Sequence, residues 1–276
     1  MYKLISVNSN PKLEKGNKLQ ETYWNVVMHL SPINTKICPY QDIAGCKTAC
    51  LNTSGRGGIF KKGETTNVIQ DARKRKTELY LNDRETFMAA LIKDIHTFVR
   101  ACDRKGKKPA IRLNGTSDIQ WETILLKEVN GKYITNQGMK HMGEDYLDTV
   151  NLELHKEKDF KNIFAMFPQI QFYDYTKIPT RKVDHIPNYH LTWSYSEASP
   201  TYSELIKKIK YNIAVVFRDK DLPTMFKGFK VIDGDTHDMR FLDEPNVIVG
   251  LKAKGKAKKD TSGFVINNNI IARATA

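Results

Sequence analysis

The chain contains no uninterrupted apolar run of the roughly 20 residues that a membrane-spanning helix requires. Its amino terminus offers only Leu4-Ile5-Ser6-Val7 as an apolar patch, too short for the hydrophobic region of an export signal. The expected setting is therefore a reducing cytoplasm, with no membrane partner. Cysteine is scarce, four in 276 residues, and with no export signal its clustering favours metal binding over disulfides. Several catalytic signatures are missing. The sequence has no G-x4-G-K-[ST] phosphate loop, no H-E-x-x-H zinc motif, no G-x-S-x-G elbow and no G-x-G-x-x-G after a strand. Kinase, protease and nicotinamide-enzyme readings lose their support. Negative charge is also in deficit, with 31 Asp and Glu against 44 Lys and Arg.

The resulting net charge of +13 favours polyanions, nucleic acid first, through phosphate contact and counterion release. The excess collects at Arg73-Lys74-Arg75-Lys76, Arg104 to Lys108, Lys207 to Lys210 and Lys252 to Lys259. Solvated helix faces and loops explain such blocks equally well. The composition, 40% hydrophobic and 27% charged, is that of a globular chain with enough residues for one substantial core. No fixed-period repeat or low-complexity linker divides it, so 1–276 reads as one domain.

Residues 1–22 are polar, interrupted by Pro11 and Gly16, and read as an irregular leader. Trp24–Leu30 is the first convincing strand. Ala110–Asn114, Ile170–Asp174, Tyr189–Trp193, Ile213–Phe217 and Asn246–Gly250 read as five more, with Phe229–Ile232 as an addition. The spacing predicts helices over Thr66–Leu81, from Asn82 or Asp83 to about Arg104, over Asp159–Phe167 and over Ser203–Lys210. In the second of these, Phe87, Leu91, Ile95, Phe98 and Cys102 form one buried stripe, which makes Cys102 a core residue. The stretch 131–157 is mixed and reads as an insertion. Strands alternating with helices argue for a mostly parallel sheet. About six strands fit an open, partial (β/α) barrel, with a doubly wound sheet as the competitor.

In parallel α/β folds, ligands bind beyond the carboxyl ends of the strands. Polar residues gather there: Asn114, Gly115, Thr116 and Asp118 after the second strand, Lys177 after the third, Ser194, Ser196 and Glu197 after the fourth. Arg218 and Asp219 follow the fifth. Turn chemistry alone accounts for any one of these motifs, since Asn-Gly and Ser-Tyr-Ser favour turns. Asp233, Asp235, His237 and Asp238 have the donor set for a Mg²⁺ or Mn²⁺ ion of a metal-dependent nuclease, and are equally ordinary strand-end turn residues.

The densest signal is the loop after the first strand. Cys38, Cys46 and Cys50 stand in a C-x7-C-x3-C spacing, followed by Gly55, Gly57 and Gly58. Thiolates suit zinc or iron–sulfur clusters. A structural zinc wants a fourth ligand, for which His29 and His96 are available, and ordinarily paired C-x2–4-C spacing. Three thiolates on a [4Fe–4S] cluster leave one iron open.

An open iron of this kind holds S-adenosylmethionine in radical enzymes built on six-stranded partial barrels, with their cysteines in the loop after strand one. The chain resembles that plan in cysteine placement, strand count and Asn114-Gly115-Thr116, and departs from its common C-x3-C-x2-C spacing. A nearer resemblance lies in Cys38-Pro…Gly45-Cys46-Lys-Thr-Ala-Cys50-Leu-Asn-Thr-Ser-Gly55-Arg-Gly57, in Arg112-Leu-Asn-Gly-Thr-Ser-Asp118, and in Gly250-Leu-Lys-Ala-Lys-Gly255…Asp260-Thr-Ser-Gly263-Phe264. These stretches, in this order, are similar to the bacteriophage gene-product-88-like family. The resemblance implies a phage origin and a host-cytoplasm setting, and supplies no mechanism.

The resulting expectation is a phage metalloprotein with a radical-SAM-like partial barrel. Cys38, Cys46 and Cys50 hold a [4Fe–4S] cluster, and S-adenosylmethionine meets Asn114, Gly115, Thr116, Asp118, Ser194 and Ser196. Lys177, Glu197 and Asp235 serve catalysis on a nucleic acid or nucleotide. The alternatives are a non-enzymatic nucleic-acid-binding protein with structural zinc, and the nuclease.

Overall fold

The structure, a computed structural model, describes residues 3–7, 11–136, 160–208 and 211–267. Its elements begin with β1 (Ile5–Ser6), α1 (Pro11–Leu19), β2 (Tyr23–Met28), α2 (Val68–Asn82), α3 (Arg84–Asp103) and β3 (Lys108–Arg112). There follow β4 (Leu126–Val129), β5 (Lys132–Thr135), α4 (Ile163–Met166), β6 (Gln171–Thr176), β7 (Tyr189–Ser194), α5 (Pro200–Lys207) and β8 (Ile213–Phe217). The last four are β9 (Met225–Phe226), β10 (Phe229–Asp233), β11 (Ile248–Lys252) and β12 (Val265–Ile266).

The main sheet has the order β1-β2-β3-β6-β7-β8-β11-β10-β9. The seven strands from β2 to β10 along this path are mutually parallel, and β1 and β9 close the two edges antiparallel. The mixed α/β class with a mostly parallel sheet is as expected. The sequential partial barrel is not: the sheet is open with two edges, and its last two parallel strands are exchanged. The reason is local. Lys227 (φ 50°) and Gly228 (φ 84°) form a tight hairpin that ties β10 to the edge strand β9, so β11 takes the inner place beside β8.

β7 pairs with β8 only as far as Trp193–Ile213 and Ser194–Ala214. Beyond that point β12 lies beside Val216 and Phe217 of β8 instead. The sheet therefore parts between β7 and β8 at its carboxyl end, and the C-terminal motif fills the gap.

Several sequence expectations change. The leader is ordered over 11–19: Pro11 starts α1 with its φ preset, and Gly16 lets the helix lie against His237 and Met239, where a Cβ would sit 3.4 Å from His237 Cβ. The third predicted helix, Asp159–Phe167, is reduced among its described residues to the single turn α4, capped by Asn162. Residues 131–136 belong to a β4–β5 hairpin turned by Asn130 (φ 50°) and Gly131 (φ 74°), and the rest of the expected insertion lies outside the described residues. Asn67 caps α2 and Asp83 caps α3, accepting N–H bonds at their first turns, close to the predicted starts.

The two faces of the sheet differ in chemistry. One packs on α2 and α3: Val26, Met28, Ile111, Phe172, Leu191, Trp193, Val215 and Phe217 join Phe87, Leu91, Ile95, Phe98 and Cys102 in the main core. Each large apolar side chain so buried contributes roughly 1.5–3 kcal/mol. The other face is largely polar, carrying Asn25, Arg112, Tyr173, Tyr175, His190 and Thr192, and the segment 237–243 covers it. Met239 packs on Ala110 and Tyr173, and Phe241 meets Tyr23 edge-on and Tyr173 at a tilt. Asp238 fixes this cover. Its buried carboxylate accepts from Arg112 at 2.9 Å and pairs with Lys12 of α1 at 3.1 Å.

These cations hold the Asp238 carboxyl well below the usual range, against the opposing effect of burial. A depressed folded pKa contributes stability that is complete above about pH 4 and is lost as pH falls through the lowered value. Asp238→Asn, which leaves Arg112 and Lys12 unanswered, is expected to cost about 3–5 kcal/mol in urea unfolding at pH 7. It should also flatten the loss of stability below pH 4; an unchanged acid limb would show that Asp238 does not anchor the cover.

Candidate functional site

Because the seven strands are parallel, the loops following them meet at one end. The cysteine loop follows β2 and is docked there from four sides. Thr116 Oγ1 donates to Leu30 O at 2.5 Å, and Asp118 N–H to Ile37 O at 2.9 Å. Ser196 Oγ donates to Ala44 O at 2.7 Å and Ser262 Oγ to Gly45 O at 3.0 Å. From α2, Gln70 and Arg73 both hold Asn52: Arg73 Nη1 donates to Asn52 O at 2.8 Å and to Oδ1 at 2.9 Å. The three sequence motifs that point to one family thus converge on a single rim.

Close approach explains two of its glycines. Gly45 has φ 65°, and a Cβ there would lie 2.5 Å from Ser262 Oγ and 2.7 Å from Ala198 Cβ. Gly263 has φ 93°, and its Cβ would meet the Glu197 backbone at 2.9 Å. Both positions need glycine for conformation and for space.

Cys38, Cys46 and Cys50 are all free and half-buried on the inner side of this loop. Cys38 donates weakly to Thr116 O at 3.9 Å and Cys46 to Gln41 O at 3.8 Å, while Cys50 accepts from Asn52 N–H at 3.4 Å. Burial raises all three pKa values, that of Cys46 to about 11, and the proximity of the other thiols and of Asp118 raises Cys38 and Cys46 further. The thiols are protonated at neutral pH, so they are poor nucleophiles as they stand. Among the described residues, no group of three or more His, Cys, Asp or Glu side chains is arranged to hold a metal ion.

Lys177, just past the end of β6, lies within electrostatic reach of all three thiols. Its ammonium donates to Ser194 Oγ at 2.7 Å and stands 4.4 Å from the centre of the Phe264 ring. Desolvation lowers its pKa, and the nearby thiols and Asp118 work in the opposite direction. Among the described residues neither Lys177 nor Arg73 has a carboxylate at ion-pair distance. Both have Cys50 as a close acidic neighbour. Tyr202 of α5 completes the wall, donating to Ser194 O at 2.8 Å.

Of the residues expected to hold a cofactor, Thr116 meets the thiols through its carbonyl, which accepts from Cys38, and Ser194 through Lys177. Asn114 is buried with its polar atoms spent: Nδ2 donates to Ile119 O, and Oδ1 accepts from Ser117, Ile119 N–H and Trp121 Nε1. Asp118 accepts from Thr176 Oγ1 at 2.8 Å and Lys177 N–H at 2.7 Å, and pairs with Arg181 at 3.3 Å, so it braces the Lys177 backbone. Gly115 packs under Met28 O, where a Cβ would come within 2.5 Å. Thr116 and Ser196 anchor the loop, as above.

Glu197 turns away from the thiols. It pairs with Lys227 at 3.3 Å, accepts from Tyr195 OH, and lines an open cleft of about 930 Å³ with Arg218 and Phe226. Asp235 is bound to Lys254 at 2.6 Å. The acidic turn after β10 does not gather: Asp233 pairs with Lys252, Asp235 with Lys254, and Asp238 with Arg112 and Lys12, each carboxylate answered by its own cation. Of the two histidines offered to zinc, His96 packs against Phe167, before β6 begins, whereas burial and neighbouring cations lower the His29 pKa to about 3 and so keep its imidazole neutral.

Arg73, Tyr202 and Asn52 were missed from sequence. The signal for Arg73 was present, since Arg73, Thr77 and Tyr80 share one helix face at helical spacing while Lys74 and Arg75 are exposed. Gly45→Ala is expected to cost about 1–3 kcal/mol, read as a lowered midpoint in thermal unfolding. Unchanged stability would mean that the loop is not clamped between Ser262 and Ala198.

No curated protein and no solved structure matches this chain. Residues 3–268 match the family described as Gene product 88. The match takes in the cysteine loop, the Arg112–Asp118 turn and the C-terminal glycine motif that meet at the rim. On that coverage the chain belongs to the gene product 88 family of phage proteins.

Proposed function

We propose that the rim is a metal–thiolate site of the iron–sulfur type, with Cys38, Cys46 and Cys50 as the protein ligands. The observation that carries this reading is the charge around the sulfurs. Lys177 and Arg73 are desolvated cations without carboxylate partners among the described residues, Lys177 within electrostatic reach of all three thiols and Arg73 of Cys50. Cations removed from water need an anion. Three thiols that give up their protons to a metal supply it, since coordination requires the thiolate. Since the three thiols are not gathered into a metal-holding group among the described residues, binding would draw them together and would replace the weak thiol–carbonyl contacts of Cys38 and Cys46 by metal–sulfur bonds. The group would supply electron transfer or Lewis acidity there. Lys177 would hold negative charge at the sulfurs, and Asp118 would keep Lys177 in place. The position after the first parallel strand is also the one radical-SAM-like partial barrels use. Asn114, Thr116 and Asp118 are engaged within the protein, which leaves S-adenosylmethionine without the contacts expected for it.

Protein purified without oxygen is expected to be brown, to absorb broadly near about 400 nm, and to contain iron and sulfide. Cys46→Ser should abolish the colour. Lys177→Met should lower iron content while leaving the metal-free protein as stable or more stable, because it removes an unanswered cation. A colourless product with one zinc per chain would replace iron by structural zinc. A product free of any metal would end the proposal.

The nucleic-acid reading has an observation of its own. The turn Gly255–Lys259 lies against the cysteine loop, with Gly255 beside Ser54, and sets the exposed Lys256, Lys258 and Lys259 next to the loop that carries exposed Arg56. None of these four has an acidic partner among the described residues, whereas Lys252 and Lys254 of the same block do. Affinity for single-stranded DNA should fall steeply between 50 and 200 mM salt, roughly tenfold or more for a few phosphate contacts. Replacing the three lysines by glutamine should reduce that slope; no retention at low salt would exclude a nucleic-acid partner at this surface.

A further inference from the structure

Beneath the rim, the polar face of the sheet and its cover hold buried polar atoms without hydrogen-bond partners: Arg112 Nε, Tyr173 OH, Tyr175 OH, His190 Nε2, Thr192 Oγ1 and Arg240 Nε, with Asn25 Nδ2 and Oδ1 on the same face and Arg240 Nη1 and Asp243 Oδ2 in the cover likewise without one. The first six are neighbours. Tyr173 pairs in register with His190, and Tyr175 with Thr192, on adjacent parallel strands. The Arg112 guanidinium lies 4.6 Å from the centre of the Tyr175 ring, and the charge of Arg240, from the covering segment, reaches His190. Tyr173, Thr192 and Arg240 are wholly buried, with Tyr173 and Thr192 each at 0% exposure. Tyr175, His190, Lys177 and Ser194 keep partial exposure, so the face reaches solvent toward the thiol end.

A buried polar atom left without a partner costs about 1–3 kcal/mol, and folded proteins carry few. Six on one contiguous patch under a single cover are the signature of a lining whose bonds are completed by what it holds. The set is rich in donors, with two guanidinium N–H groups and three hydroxyls. Its charge is positive by one, because Asp238 answers both Arg112 and Lys12 while Asp243 of the cover pairs with Arg240 at 3.2 Å. We propose that this face and its 237–243 cover form a buried chamber for a small anion with several acceptor oxygens, a carboxylate or phosphate compound. The chamber is independent of the metal reading, since none of its six atoms belongs to the thiol loop.

The test uses the full chain and two variants that delete an unpartnered hydroxyl at nearly constant shape, Tyr173→Phe and Thr192→Val. Thermal unfolding and calorimetric titration are run with orthophosphate, succinate, adenosine 5′-monophosphate and uncharged glucose, against sodium chloride at matched ionic strength. At least one anion should raise the midpoint by about 3 °C or more. Succinate against phosphate separates carboxylate from phosphate recognition. Each variant should bind that anion about tenfold more weakly, the loss expected for one hydrogen bond. Without the anion, each variant should be as stable as the parent or more so, because an unpaired hydroxyl has gone. The proposal is overturned if no anion acts beyond chloride, or if glucose alone stabilises. It is equally overturned if parent and variants respond alike, which would mean an adventitious ion only. Variants that are less stable with no change in affinity would show that the hydroxyls serve a water-filled structural core.

Discussion

Positive charge held out of water at the carboxyl end of the sheet, with too few carboxylates to answer it, is the constraint from which the rest of the site follows. Lys177 is anchored through its backbone to Asp118, and its ammonium is left with a serine hydroxyl, an aromatic ring and three thiols. Arg73 spends its guanidinium on the backbone and side chain of Asn52. Lower on the same end, Asp238 is shared between Arg112 and Lys12. Desolvated cations in such numbers raise the free energy of the folded state unless an anion joins them. In the proposed function the thiols become that anion by losing protons to a metal, and in the proposed chamber below a small anion supplies it.

The architecture that concentrates this charge is the parallel sheet itself. It sends seven loops to one end, and the parting of β7 from β8 makes room there for the C-terminal motif. That motif returns to the cysteine loop through Ser262 and Gly45, while the Arg112–Asp118 turn reaches it through Thr116. Segments more than 200 residues apart in sequence, Gly45 and Ser262, therefore meet as the two halves of one clamp. Their glycines are required by contact distances as well as by backbone angles.

Much of the frame was legible because its periodicities are strong. The stripe Phe87, Leu91, Ile95, Phe98 and Cys102 gives α3 and its buried thiol directly, and Ile213–Phe217 is the observed β8 to the residue. The gathering of the rim loops at one end follows from parallel pairing alone. Other features were visible and misread. Asn130-Gly131 between alternating residues is a hairpin signal, and Pro11 followed by Leu13 and Gly16 marks a helix entry that looks like a leader by composition. The exchange of β10 and β11 has a local source in the Lys227-Gly228 turn, but the pairing of β11 with β8 that completes it is long-range and no local pattern encodes it. The roles of Asn114 and Asp118 were illegible for a similar reason. Polar residues at a rim look alike in sequence, and the partners that spend these two, Trp121 and Arg181, are known only once the chain has folded.

The account rests on the sulfurs of Cys38, Cys46 and Cys50 sharing one metal centre beside Lys177. X-ray absorption at the metal edge, on anaerobically prepared protein, measures this without reference to any activity. The account predicts a shell of sulfur neighbours near about 2.3 Å, the distance of a metal–thiolate bond, with the protein-derived part lost in the triple cysteine-to-serine variant. A first shell of oxygen and nitrogen only, or a sulfur shell unaltered in that variant, would contradict it.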